Sequence, residues 1–245
     1  MPRFFVQSSA ICDNTLTISG SAASHISRSL RMKVGDFLTV CDMQRSEFLC
    51  QITDITPDSV HLRIFTRCES QNEPPYFATL YMALPKADKM ELIIQKAVEM
   101  GVSRIVPVRS ERSVVKLSCQ DGVKKQQRWQ KIADSAAGQC GRGILPQITE
   151  PMDFADAVKD AAKAELPFFC YEGEDAFSLK DLASRYKESP KTIAFFVGSE
   201  GGICQKEVDM LQNAGLCSVG LGKRILRCES APMFVLSCLS LLWEI

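Results

Sequence analysis

The chain has 245 residues, of which 46% are hydrophobic and 24% are charged, and its formal net charge is +0. This composition excludes an intrinsically disordered chain, and the length favours a small domain followed by a larger one. A neutral total by itself points to no class of partner.

Eleven cysteines are present, an odd number without a Cys-x-x-Cys pair. Several, such as Cys217 and Cys238, lie in apolar periodic runs, so we interpret them as small buried thiols in a reducing compartment. The first twenty residues lack the pattern of a secretory signal, and the longest apolar run, residues 231–243, is too short to span a bilayer. We therefore expect a cytoplasmic protein without a membrane segment.

The first part of the chain contains three short strand-like runs separated by turn-rich segments. They are residues 37–41, 48–52 and 60–65. Strands of this length and spacing predict a small β-barrel. A short helix is predicted before them at residues 25–32, and the Asn- and Pro-containing segment 69–76 is the best candidate linker. We predict domains at residues 1–72 and 73–245.

Beyond the linker, strand-like and helix-like segments alternate, which predicts an α/β domain with a largely parallel sheet. Asp88 and Glu91 have the spacing of a capping box at the start of a helix that ends near Gly101. The other predicted elements are strands at 79–84, 105–108, 168–171, 193–197 and 216–221 and helices at 124–137, at 205–214 and from residue 231.

Two glycine-containing loops follow strands in this second domain. Residues 198–202 (GSEGG) and 221–230 (LGKRILRCES) each come after an apolar run and lead toward a helix-like segment. Loops at the carboxyl ends of parallel strands form a ligand crevice. The second loop places Arg224, Arg227 and Glu229 beside aliphatic residues, which indicates a binding site. The alternatives are an internal ion pair in the second loop and a structural turn in the first.

Several common chemistries are excluded. The only histidines, His25 and His61, fall in the predicted barrel, so a Ser-His-Asp or Cys-His nucleophile within the larger domain is excluded. No Cys/His cluster has the spacing of metal ligands, and the first loop matches neither nucleotide-binding glycine motif. A reaction without histidine as base favours an activated cofactor.

Charge is unevenly distributed along the chain. Residues 84–146 carry twelve Lys and Arg against six Asp and Glu, a local net of +6, whereas residues 147–245 carry ten against fifteen, a net of −5. A basic segment in a neutral chain is typical of a polyanion-binding face. The alternative is a solvated helix face without a partner.

Four ordered motifs resemble the RsmE family of ribosomal small-subunit RNA uridine N3-methyltransferases. Residues 221–231 (LGKRILRCESA) resemble its L-G-x-R-I-L-R-x-E-T-A signature, and residues 198–202 resemble its G-P-E-G-G. Residues 88–102 (DKMELIIQKAVEMGV) resemble its K-M-E-x-x-I-Q-K-x-x-E-L-G-V, and 129–133 together with 139–142 also match. Ile105, Pro107 and residues 110–112 (SER) continue the match after residues 88–102, and residues 25–26 and 30–31 match near the N-terminus, so the match covers nearly the whole chain.

The resemblance implies a PUA-like β-barrel followed by a SPOUT α/β domain whose C-terminal segment forms a trefoil knot. It also implies a homodimer that binds S-adenosyl-L-methionine in the knotted loops. The residues to which cofactor binding is carried over are backbone and aliphatic positions of the two loops: Gly198, Gly201, Leu221, Gly222, Ile225 and Leu226.

Three positions depart from the family pattern. Ser199 replaces a proline, which we expect to loosen the first loop. Ser230 replaces threonine and keeps a hydroxyl for an N-cap before Pro232. Gly138 replaces a glutamate, which removes a carboxylate from the predicted RNA side.

The implied reaction is methyl transfer to N3 of a uridine in 16S rRNA of the small ribosomal subunit. Arg227 is the candidate that stabilises negative charge on the uracil, and Glu200 or Glu229 either orients that arginine or accepts the N3 proton. The predicted phosphate contacts are basic residues of both domains: Arg28, Arg31, Lys86, Lys89, Lys96 and Arg142. A binding-only ribosome-assembly factor and a SPOUT enzyme with another RNA or base atom as target are the alternatives.

Overall fold

The computed structural model describes residues 1–115, 117–173 and 177–245, and the chain divides into two compact units. The first comprises Met1–Glu73 and Ala137–Leu145, and the second comprises Pro74–Ala136 and Pro146–Ile245. The predicted boundary lies one residue before this division. The assignment of residues 137–145 to the first unit was not predicted. The helical periodicity of residues 124–137 indicates a helix but does not indicate which unit the end of that helix packs against.

The first unit is built on a six-stranded sheet. One short helix, α1 (Ser21–Ser24), continues into a wider π-helical turn at His25–Ser29, so the helical segment begins and ends earlier than predicted. The strands are β1 (Arg3–Phe5), β2 (Ile11–Cys12), β3 (Thr15–Ser19), β4 (Phe37–Cys41), β5 (Ser46–Ile55) and β6 (Ser59–Glu69).

The strands of this sheet are ordered β1-β4-β5-β6-β3-β2, with only the β1–β4 pair parallel. Leu38, Ile52 and Leu62 are fully buried in an apolar cluster on its inner face. Register shifts between β5 and β6 near Leu49 and near Ile52 interrupt the ladder, and bulges of this kind curve a sheet. The small β-domain is confirmed as a curled, open sheet, since β1 and β2 form its two edges.

The second unit alternates strands and helices, as predicted. Its strands are β7 (Phe77–Ala83), β8 (Arg104–Arg109), β9 (Gln147–Ile148), β10 (Met152–Asp153), β11 (Leu166–Cys170), β12 (Phe177–Ser178), β13 (Thr192–Val197) and β14 (Cys217–Gly220). Its helices are α2 (Lys89–Glu99), α3 (Cys119–Cys140), of which the last turn belongs to the first unit, α4 (Phe154–Ala161), α5 (Leu179–Ala183), α6 (Gln205–Asn213) and α7 (Ala231–Trp243).

All strands of the second sheet are parallel, in the order β10-β8-β7-β13-β11-β14-β12, with β9 paired to β8. The central strand β13 is buried from Ile193 to Val197, as expected for a strand covered on both faces. The predicted parallel α/β domain is confirmed. Helices α4 and α5, both short, were missed.

The predicted capping box at α2 is wrong. Asp88 occupies the N-cap position, but its side chain accepts no capping hydrogen bond, and Glu91 pairs with Arg128. A capping box occurs instead at α6, where Cys204 and Glu207 satisfy each other's backbone amides. A cysteine at this position lies outside the usual N-cap preferences, which is why it was not predicted.

Candidate functional site

A cleft of about 1110 Å³ opens at the carboxyl-terminal edge of the parallel sheet. The loop after β13, the loop after β14 and residues 171–173 after β11 line it, because these three strands are neighbours and end at the same edge. All six predicted cofactor-binding residues lie in its wall, together with Arg227, Glu200 and Glu229. The structure therefore brings the two predicted loops into one site.

The first loop is a tight turn that requires glycine at two places. A Cβ atom on Gly198 would lie 2.9 Å from the carbonyl carbon of Gly202, and Gly202 has a φ of +69°. The amide of Gly202 donates to the carbonyl of Ser199 at 2.9 Å. Close backbone packing therefore explains the glycine at position 198, and the positive φ explains the glycine at position 202.

Arg112 forms two hydrogen bonds with the first loop. Its Nη1 donates to the carbonyl of Gly201 at 3.0 Å, and the Ser199 hydroxyl donates to the Arg112 carbonyl at 3.4 Å. Arg112 lines the cleft but was not assigned a role from the sequence, although residues 110–112 belong to the segment that resembles the family. Ser199 is buried, so this hydrogen bond provides part of the restraint that proline would have given.

The second loop presents its side chains to the open cleft. Arg224 and Arg227 are exposed, and Ile225 is 79% exposed. The carbonyl of Arg227 accepts hydrogen bonds from the amides of Ser230 and Ala231, which start α7. Ser230 is at the N-cap position without a side-chain hydrogen bond, so the predicted hydroxyl cap is wrong. Pro232 lies at the beginning of the helix, where its lack of an amide N–H leaves no donor unpaired.

Lys89 joins the two predicted catalytic carboxylates. Its Nζ lies 3.0 Å from Glu200 Oε1 and 3.2 Å from Glu229 Oε2. The amide of Lys86 also donates to both Glu200 oxygens, at 3.2 and 3.3 Å. The sequence predicted Arg227 as the partner of these carboxylates and Lys89 as a phosphate contact. The structure pairs both carboxylates with Lys89.

These contacts fix the protonation states of the three groups. Burial alone would raise the pKa of Glu200, but hydrogen bonds from backbone amides and from Lys89 outweigh it, so the pKa is lowered. Its own backbone amide, followed by Cys228 and Lys89, lowers the pKa of Glu229 despite some desolvation. Glu200 first and Glu229 second raise the pKa of Lys89. All three groups are charged at neutral pH.

Family models match both units of the chain. A model described as an RNA methyltransferase domain matches residues 72–240, and one described as an RNA methyltransferase PUA domain matches residues 18–65. The ribosomal RNA small subunit methyltransferase E of Bacillus subtilis is 33% identical over 231 residues, covering 92% of this chain and 90% of the relative. The chain belongs to the RNA methyltransferase E family.

Other members agree with this assignment. The Mesomycoplasma hyopneumoniae enzyme of the same name is 31% identical, covering 97% of this chain and 98% of the relative. A crystal structure of the Neisseria gonorrhoeae enzyme bound to S-adenosyl methionine superposes with a TM-score of 0.85 at 29% identity, covering 99% of this chain and 98% of that chain. The predicted family and PUA-like first domain are confirmed.

In this member of the family, the predicted phosphate contacts have different environments. Arg28, Arg31 and Lys86 are exposed, and the described part of the chain offers them no ion pair. Lys96 pairs with Glu99 along α2 at 2.8 Å. The three exposed residues stay predicted phosphate contacts.

Arg142 does not fit its predicted role. Its side chain is 4% exposed, and its guanidinium binds the Glu73 carboxylate at 2.7 Å from Nη2 and 3.0 Å from Nε. Glu73 also accepts from the amides of Gly143 and Ile144. The guanidinium is therefore committed to the interior of the first unit and is not offered to an RNA phosphate.

Two further observations concern metal binding and membrane association. Among residues 1–115, 117–173 and 177–245, no group of three or more His, Cys, Asp and Glu side chains is placed to hold a metal ion. Within the same ranges, no helix combines the length and the apolar character that a membrane span needs. The described cysteine side chains are free thiols.

Proposed function

We propose that this protein transfers a methyl group from S-adenosyl-L-methionine to N3 of a uridine in 16S rRNA of the small ribosomal subunit. The observation that carries the proposal is the single cleft formed by the two loops, in a chain that belongs to a family of ribosomal RNA methyltransferases. We place the activity in the cytoplasm because ribosomal subunits are assembled there.

The cleft fits this cofactor by size and by chemistry. A volume of about 1110 Å³ accommodates a drug-sized ligand, and Leu221, Ile225 and Leu226 supply apolar walls. Gly198 and Gly201 allow this wall to pack closely, since a Cβ at Gly198 would lie 2.9 Å from the Gly202 carbonyl carbon and a Cβ at Gly201 would lie 3.0 Å from the Arg112 Cβ. When bound, the cofactor supplies an activated methyl group with a neutral leaving group.

The protein's own contribution is alignment and electrostatics. Arg227 lies in the cleft wall with an exposed guanidinium, suited to negative charge that develops on a uracil whose N3 proton is leaving. One well-placed donor of this kind is worth about 3 kcal/mol in other enzymes. Lys89 fixes both loops through Glu200 and Glu229 and so acts as a positioning residue.

The two carboxylates are anchors rather than bases in this proposal. An efficient general base has a pKa near the operating pH, whereas hydrogen bonds and Lys89 lower the pKa of both Glu200 and Glu229. Each is engaged by a cation at about 3 Å. This favours an orienting role over proton acceptance, with Lys89 as the partner in place of the predicted Arg227.

The pH dependence of the reaction tests this assignment. The pKa values of both carboxylates are lowered in the folded protein, so both stay ionised at pH values where a free carboxyl group begins to protonate. Their interaction with Lys89 is lost only as pH falls through the lowered values. We expect Glu229→Gln to lower kcat without changing the shape of the pH profile between about pH 5 and pH 9. An acid limb in this range that disappears in the variant would identify Glu229 as the base.

RNA approaches along exposed cations in this proposal. Arg28 and Arg31 in the first unit and Lys86 in the second provide phosphate contacts. The target uridine leaves its stack, because N3 of a paired base is inaccessible. Binding should weaken steeply with salt, as for any complex that releases counterions.

We also propose the trefoil knot and the homodimer that the family resemblance implied. Helix α7 supports the dimer, because it exposes an apolar stripe at helical spacing although it packs against α2. Phe234 is 40% exposed, Leu241 is 68% exposed and Leu242 is 39% exposed. Large apolar side chains exposed together on one helix face are typical of a protein interface.

A charge in this stripe should separate the subunits. We expect Leu241→Asp to halve the molar mass measured by light scattering after size exclusion, because an unpaired carboxylate is costly in an apolar interface. Val123→Asp on α3 is the matched control, since Val123 is also exposed. Equal masses for both variants and the wild type would contradict an α7 interface.

The deciding experiment is incubation with methyl-labelled S-adenosylmethionine and unmodified small subunits, followed by mass mapping of nucleosides. We expect label as 3-methyluridine in 16S rRNA. Label on another atom or RNA would favour a different specificity. No transfer and no stabilisation by S-adenosylhomocysteine would favour the binding-only assembly factor.

A further inference from the structure

Two aromatic rings lie exposed together on the outer face of the first unit's sheet. Phe37 in β4 is 39% exposed and Phe65 in β6 is 52% exposed. Their ring centroids are 5.3 Å apart at an interplanar angle of 67°, an edge-to-face contact. Two large apolar rings that are exposed side by side do not contribute to the buried core, and such patches are typical of interaction sites.

Phe65 lies at a break in the register between β5 and β6. Leu49 of β5 pairs with Thr66, whereas the next residue, Cys50, pairs with Ile64, so Phe65 has no partner opposite it. Ile64 remains partly buried against the core cluster of this unit. Because side chains alternate between the two faces of a strand, Phe65 lies on the exposed face with Arg63, and its ring contacts that of Phe37 across the intervening strand.

An arginine completes this surface. Arg63 Cζ lies 5.8 Å from the centroid of the Phe65 ring, a cation–π distance. In register, Phe37 pairs with Gln51 and Gln51 pairs with Arg63, so the three residues form one row across β4, β5 and β6. Arg63 is exposed, and no carboxylate of the described residues forms an ion pair with it.

We propose that Phe37, Phe65 and Arg63 form a stacking platform for an unpaired nucleotide of RNA. Aromatic rings on an open sheet face stack bases, and a neighbouring unpaired arginine attracts the phosphate. The unpaired positive charge favours a nucleic acid over an apolar peptide or a second copy of this chain. The choice of RNA rests on the proposed function, and the platform shares no residue with the cleft.

The first test is the affinity of the full-length protein for a single-stranded RNA of about 12 nucleotides that carries 2-aminopurine. We expect Phe37→Ala and Phe65→Ala each to weaken binding about tenfold, since stacking on one ring has an effect of this order. Phe77→Ala is the matched control, because Phe77 is 46% exposed on β7 of the other unit and should bind like the wild type. Unchanged affinity in both platform variants would overturn the proposal.

A second set of variants distinguishes base stacking on an aromatic ring from contact with any apolar side chain. Phe65→Trp should retain binding, whereas Phe65→Leu should lose it as far as Phe65→Ala does, because leucine has no π-face. Arg63→Gln should reduce the slope of log affinity against log salt by about 0.7, the value for one phosphate contact on a single strand. Full affinity in Phe65→Leu would overturn base stacking.

Methyl transfer measured on the same preparations distinguishes this proposal from the proposed function. We expect the platform variants to raise KM for small subunits and to leave kcat unchanged. Ring-dependent RNA binding without methyl transfer by the wild type would overturn the proposed function alone. Variants that bind the oligonucleotide normally but bind subunits weakly would indicate a protein contact and overturn the platform.

Discussion

Gly198→Ala is expected to weaken cofactor binding strongly while the rest of the protein stays folded. The added Cβ would lie 2.9 Å from the carbonyl carbon and 3.1 Å from the Cα of Gly202, and backbone atoms cannot move aside as a flexible side chain can. The turn of residues 198–202 must open, which displaces the wall that faces the cofactor. A displacement of this kind lowers activity on the order of 100-fold.

Calorimetric titration with S-adenosylhomocysteine measures the effect directly. Gly138→Ala is the matched control, because its new Cβ would have only an ordinary contact at 3.8 Å from the Arg3 carbonyl oxygen. In helix α3 the control should gain about 0.5 to 1 kcal/mol of stability and bind the ligand unchanged. Normal binding by Gly198→Ala would show that the loop does not form the cofactor wall.

Arg142→Met is expected to destabilise the first unit by about 3 to 5 kcal/mol. The substitution leaves the Glu73 carboxylate, whose side chain is only 5% exposed, without its cation. The amides of Gly143 and Ile144 still donate to it, but they carry no net charge. Chemical denaturation followed by far-UV circular dichroism should show the lower transition.

The same variant tests the two interpretations of Arg142 against each other. A phosphate contact would lose RNA affinity and keep its stability, whereas a buried ion pair loses stability first. Lys159→Ala is the control, since the Lys159–Asp156 pair is exposed at 76% and 65% and should contribute less than about 1 kcal/mol. Unaltered unfolding in Arg142→Met would contradict the structural role.

The fold was largely predictable because its signals are local. The runs at Phe37–Cys41 and Thr192–Val197 owe their structure to alternating or continuous apolar residues, and both strands are observed. The short helices α4 and α5 were missed because helices of eight and five residues span too few turns for a clear period. Their formation depends on packing against the sheet.

The site was predictable at the level of loops and much less at the level of partners. Glycines and aliphatic residues marked both loops, and the loops do share one cleft. The pairing of Lys89 with Glu200 and Glu229 joins segments far apart in sequence, and no local spacing contains that information. The burial of Arg142 has the same origin, because charge counted along a chain does not report which cations face the interior.

The convergence of Lys89, Glu200 and Glu229 has a consequence for how the enzyme matures. Lys89 is among the first residues of the second unit to be synthesised, and Glu229 is among the last. Contacts between such distant segments form late in folding, because the intervening chain must be ordered first. A nascent chain that extends only to the end of α6 therefore lacks the second loop, which forms one wall of the cleft. It also lacks Glu229, one of the two carboxylates that bind Lys89. The complete cofactor site therefore requires nearly the whole of the second unit to be synthesised.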